Sequence, residues 1–94
     1  MKKTHAKILL VALTALQVYA LPDIANIHLR IFDINGRKVK EWSISDQQAG
    51  WHKLTWDGRD MRGNILPSGV YIYSFGVIDS GQSFFETKKM LFLK

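Results

Sequence analysis

The sequence predicts an all-β fold, an antiparallel immunoglobulin-like β-sandwich of six or seven short strands, on three observations. Ile27-His28-Leu29-Arg30-Ile31-Phe32 and Trp51-His52-Lys53-Leu54-Thr55-Trp56 alternate in polarity, the period of a strand with one buried face. Turn-forming residues punctuate the chain between such runs, at Asn35-Gly36, Asp57-Gly58, Gly63-Asn64 and Asp79-Ser80-Gly81. After residue 20 the spacing offers strands and turns but no helix.

With 94 residues the chain holds one small domain. It has no cysteine, so neither a disulfide nor a thiolate metal site can reinforce it. Burial alone must hold it together, and the aromatic residues are therefore first of all core. The formal charge of +5 divides unevenly. Lys2, Lys3 and Lys7 crowd the start, whereas from residue 21 onward ten Lys and Arg face eight Asp and Glu. That mixed surface has no basic stripe, which speaks against nucleic acid as a partner.

The N-terminus supports two readings. Lys2, Lys3 and Lys7 precede the apolar run Ile8 to Leu16, and Val18-Tyr19-Ala20 offers a cleavage site, the three-part pattern of a secretory signal peptide. The run is too short for a stable membrane span, which needs about 20 apolar residues. On this reading residues 1–20 are a leader and residues 21–94 the domain. On the other, Gln17 to Asp23 forms the first strand of the sandwich, and a cut after Ala20 would remove most of it and expose core and edge.

In chain order, Ile27, Leu29 and Ile31 point inward and His28 and Arg30 outward. A type I turn starting at Asp33, with Gly36 left-handed and a bulge, keeps the faces in step and places Ile31 opposite Val39. Trp42 to Ile44 extends the second strand, and Ser45 to Gly50 forms a polar loop. Leu54 and Trp56 face inward with His52 beside them, a hydrogen-bonded structural histidine. Neither His52 nor His28 has the converging ligands of a metal site. Asp57, Asp60 and Asn64 stand close together, but Arg59 and Met61 interrupt a calcium-loop spacing, so turn formation is their role. Tyr71 follows Pro67-Ser68-Gly69 at a strand start, where its phenol reaches back to upstream backbone and its ring enters the core. Met90 to Leu93 is apolar on both faces of the last strand, Ser83 to Leu93, as in a strand covered on both sides or one with a face awaiting a partner.

No nucleophile elbow, phosphate loop, carboxylate pair or histidine–carboxylate set is present, and no base stands beside Ser68 in the sequence. Neither an enzyme nor a bound cofactor or small-molecule substrate is expected. A glycan-binding module using exposed Trp42 and Trp51 is a weaker alternative.

The motif Thr55-Trp56-Asp57-Gly58-Arg59-Asp60, with Gly63 and then Leu66-Pro67-Ser68-Gly69-Val70-Tyr71, resembles the immunoglobulin-like domain of the flagellar hook-capping protein family. It is also similar to the C-terminal sorting domains of type IX secretion substrates. Leu29 to Val39, containing Asp33, Asn35 and Gly36, and the basic end from Glu86 fit the same pattern, which covers roughly residues 17–94. The sorting resemblance implies export, outer-membrane secretion machinery as partner, and an outer-membrane-surface or secreted destination. Recognition would then fall on Glu86, Thr87, Lys88, Lys89, Met90, Leu91, Phe92, Leu93 and Lys94. The hook-capping resemblance implies a structural module of protein assembly.

Overall fold

The computed structural model describes residues 9–12, 16–79 and 82–93, with side chains over 18–78 and 83–93. Seven strands follow one another: β1 (Leu9–Ala12), β2 (Leu16–Leu21), β3 (Ala25–Phe32), β4 (Lys38–Gln47), β5 (Gly50–Thr55), β6 (Gly69–Asp79) and β7 (Gln82–Phe92). They form two antiparallel sheets, β1-β2-β5 and β4-β3-β6-β7. No helix occurs among the described residues. The sandwich is all-β, as the alternating runs require.

The period-two pattern fixes which side chains meet between the sheets. Ile27, Leu29 and Ile31 of β3 are buried, as are Tyr71, Tyr73, Phe75 and Val77 of β6. The four-stranded sheet thus brings two adjacent apolar rows against Tyr19 and Leu21 of β2. Trp56, just past β5, is 1% exposed and packs edge-on to Tyr71 at 5.0 Å and tilted to Phe92 at 4.9 Å. Aromatic pairs at such offsets add to the gain from burial.

Five expectations need correction or placement. The 33–37 turn takes the expected form, but Ile31 lies opposite Lys40 rather than Val39, because a second bulge falls between Ile31 and Phe32. Val39 is the extra residue, and it is buried. Without it Glu41 and Ser43 would face the core; with it Trp42 and Ile44 do, set against Leu29 and Ile27. Trp42 therefore packs on the core, with the Lys40 ammonium 5.6 Å from its ring, and offers no open platform for a sugar. The loop expected over Ser45 to Gly50 is mostly strand. Asp46 donates its amide to Asn26 Oδ1 at 2.9 Å, and Gln47 pairs with Ala25 and accepts the Tyr19 hydroxyl at 2.5 Å.

At the N-terminus the apolar run contributes β1, and β2 begins at its last residue, Leu16. Residues 1–8, the charged start of the expected leader, and 13–15 lie outside the described residues. The boundary expected between residues 20 and 21 falls inside β2, between buried Tyr19 and Leu21. The tip of the last hairpin, 80–81, likewise lies outside the described residues. Among them, no helix is long and apolar enough to cross a membrane.

Candidate functional site

The motif residues fold into one end of the sandwich. Asp33 closes the β3–β4 hairpin: its amide donates to the Arg37 carbonyl at 2.9 Å and its carbonyl accepts the Gly36 amide at 3.0 Å. Gly36 has φ +82, a conformation glycine takes without cost. Asp33 Oδ1 accepts the amides of Asn35 and Arg37 at 2.9 and 3.0 Å, and Oδ2 the Arg37 guanidinium at 3.2 Å. The Arg37 amide foremost, then Asn35 and the Arg37 side chain, hold this carboxyl below its ordinary range.

The same turn is built again at Asp60. Its amide donates to Asn64 O and its carbonyl accepts the Gly63 amide, both at 3.0 Å. Oδ1 accepts the amides of Arg62 and Asn64 at 2.9 Å, and Oδ2 the Asn64 side-chain amide at 3.2 Å. Its carboxyl is also held low, chiefly by the Asn64 amide. The Met61 amide then donates to the Val39 carbonyl at 3.0 Å. The bulge in β4 is thus the point where the loop is fastened to the sheet.

Below this second turn, Trp56 donates its indole N–H to the Arg59 carbonyl at 2.9 Å, and Asp57 Oδ1 accepts the Arg59 amide at 3.0 Å. The Arg59 guanidinium donates to the Gly63 carbonyl at 2.9 Å. Gly58 is buried under the Phe92 ring, and a Cβ there would overlap that ring. Tyr71 donates its phenol to the Pro67 carbonyl at 2.6 Å, a tyrosine corner, and burial first, then the charge of Asp33, raises its pKa. Between the hairpin turn and the 66–71 segment lies an open groove of about 490 Å³, lined among others by Asp33, Arg37, Pro67 and Tyr71. Ile34, Met61 and Ile65 stand exposed around these turns.

Chemically this end is a frame. Asp33 and Asp60 each spend one oxygen on two backbone amides and the other on a side chain, so neither is placed to take a proton from a substrate. Among the described residues, no group of three or more His, Cys, Asp and Glu converges as a metal site would require. His52 bonds the Gln48 carbonyl at 2.7 Å and stacks 5.5 Å from Tyr19; His28 meets Ser43 Oγ at 3.2 Å. Both hold strands together.

The expected recognition segment is divided by the pleat of β7. Met90 and Phe92 are core, their side chains turned in between the sheets. Phe85, Thr87, Lys89, Leu91 and Leu93 face outward, while Lys94 lies outside the described residues. Phe85 lies over Gly76 of β6, where no side chain larger than hydrogen fits without displacing its ring. Glu86 faces inward beside Tyr73: burial, then the charge of Glu86, pushes the Tyr73 phenol up to about 12. One Glu86 oxygen lies 3.7 Å from Lys88, and the other makes no hydrogen bond. Sequence reasoning missed Val39 and Phe85, but the repeated Asp-x-x-Gly of Asp33–Gly36 and Asp60–Gly63 stands plainly in the chain.

The FlgD Ig-like domain family matches residues 10–81, an interval that takes in both turns, Trp56 and the tyrosine corner. The chain belongs to this family. It is 42% identical over 41 residues to the basal-body rod modification protein FlgD of Salmonella typhimurium, and equally to that of Salmonella typhi. The aligned stretch takes in 44% of this chain but only 18% of each relative. The crystal structure of FlgD from P. aeruginosa is similar with a TM-score of 0.64 and 28% identity, over 77% of this chain and 56% of that one. Dimeric latent PorU from Porphyromonas gingivalis, at 20% identity and a TM-score of 0.65 over 92% of this chain and 9% of PorU, shares the fold.

Proposed function

We propose that the chain is a non-catalytic, exported module of protein assembly, of the hook-capping type, acting through protein–protein contact. The observation that supports this reading is the 42% identity to the basal-body rod modification protein FlgD. The surface fits it: carboxylates at the motif end are spent on backbone amides, and apolar side chains stand exposed at the turn tips and along β7. The test is a chimera in which this chain replaces the matched domain of the Salmonella protein, scored by swimming. Recovery above a domain deletion is expected, and loss of it in the same chimera carrying Trp56→Ala. A folded chimera that swims no better than the deletion would count against the assembly role.

A second reading is a sorting domain for type IX secretion, recognised by outer-membrane machinery and delivered to the cell surface. What favours it is β7, an eleven-residue strand at a sheet edge with Lys88, Lys89, Leu91 and Leu93 exposed. A reporter fused ahead of the full chain, in a host with that system, is expected at the surface. Reporter retained inside the cell would remove sorting and leave assembly standing.

A further inference from the structure

We infer that β7 pairs with β7 of a second copy of this chain, antiparallel about a two-fold axis through Thr87, making one continuous sheet from two four-stranded ones. The inference rests on the assembly reading in taking β7 as the contact edge, and it names the partner. Its test is a mass in solution, so it can fail while the swimming assay succeeds, and the reverse.

β7 is eleven residues long and, among the described residues, has a neighbour on one side only, β6. The other side presents a row of backbone donors and acceptors, a template for adding a strand. Lysines on such an edge normally discourage pairing. Here their spacing relative to Glu86 does the opposite in one register. In a two-fold antiparallel pair, inward residues must oppose inward residues, so the axis passes through a residue. With Thr87 at the axis, Lys88 of each copy opposes Glu86 of the other, on the inner face, twice per dimer. The same register sets Phe84 against Met90 inside and Phe85 against Lys89 outside, an apolar and a cation–aromatic pair.

Neighbouring registers lose this match. An axis through Glu86 places two carboxylates face to face, and one through Lys88 or Lys89 does the same with two ammonium groups. Within its own chain Glu86 stands beside the Tyr73 phenol and 3.7 Å from the Lys88 ammonium, and one of its oxygens makes no hydrogen bond. Edge pairing buries little surface, so association is weak and concentration-dependent.

Sedimentation equilibrium of the full chain over a wide concentration range tests this. The wild type is expected to pass from monomer to dimer, while Glu86→Lys and Lys88→Glu, each confirmed folded by circular dichroism, stay monomeric. Mixing the two variants in equal amounts restores complementary pairs and is expected to give a dimer, a gain that misfolding cannot imitate. Thr87→Cys, in a chain without other cysteines, is expected to form a disulfide-linked dimer on mild oxidation, and Ser45→Cys to form none. A wild type that stays monomeric, single variants that dimerise like it, or a mixture that stays monomeric would each overturn the pairing.

Discussion

Asp33–Arg37 and Asp60–Asn64 are one turn set in two surroundings. Both have the aspartate carboxylate across two amides, and both have a left-handed glycine, Gly36 at φ +82 and Gly63 at φ +86. The first caps a hairpin whose strands continue into a ladder with β6. The second has only the Arg59–Ile65 bridge beneath it and is held from outside, by Trp56, by the bond from Gly58 O to the Leu66 amide at 2.9 Å, and by the Val39 carbonyl. The comparison separates what a turn does for itself from what its footing does. Local hydrogen bonds shape both equally; the packing beneath decides how firmly each is held.

Breaking the footing of the second turn should have the largest effect. Trp56→Ala removes a fully buried ring that meets Tyr71 and Phe92 and frees the Arg59 carbonyl, and is expected to cost about 3–5 kcal/mol. In hydrogen exchange the Gly63 and Asn64 amides should lose protection well before the Gly36 amide. Gly58→Ala comes next: it forces a side chain into φ +79 and against Phe92, with an expected loss of about 1–3 kcal/mol in urea unfolding. Tyr71→Phe keeps the ring and deletes the bond to Pro67, with a loss of about 1 kcal/mol at unchanged m-value.

The smallest effects sharpen the comparison most. Asp33→Asn and Asp60→Asn delete equivalent charged acceptors, and the Asp60 variant is expected to show the larger fall in Tm because no ladder backs its turn. Equal falls would mean that the two turns are held alike. Both carboxyls have a folded pKa below the unfolded value, as has Glu41 between Lys38 and Arg30. Their contribution is therefore complete above the unfolded carboxylate range, near pH 4, and is lost as pH falls through the lowered folded values. The Asp33→Asn/Asp60→Asn double variant should lose less stability than wild type over that acid limb, which pH-dependent thermal melts would read directly.

Much of this was legible in the residues. Alternation in Ile27 to Phe32 set the buried face of β3, and Gly69 two residues before Tyr71 announced the tyrosine corner. Asp33 and Gly36 gave the form of the first turn. The partner of Ile31 was not legible, because the extra residue at Val39 is selected by Trp42 and Ile44 needing the core and by a loop more than twenty residues downstream needing its carbonyl. Such a demand is tertiary and leaves no local mark. The sequence showed a last strand apolar on both faces, yet only the sheet order and packing make it an edge strand with Met90 and Phe92 inside and Leu91 outside. The start of the domain was legible only as a choice between leader and strand, since an apolar run of that length satisfies both patterns.

The bulge at Val39 has a consequence for tolerance to change. Since the frame of each turn is made by aspartate, glycine and backbone, and the second is tethered through the Val39 carbonyl, the side chains of Ile34, Asn35 and Met61 make none of the hydrogen bonds that shape the turns. Those side chains can therefore be exchanged while the packing between the two sheets beneath stays constant.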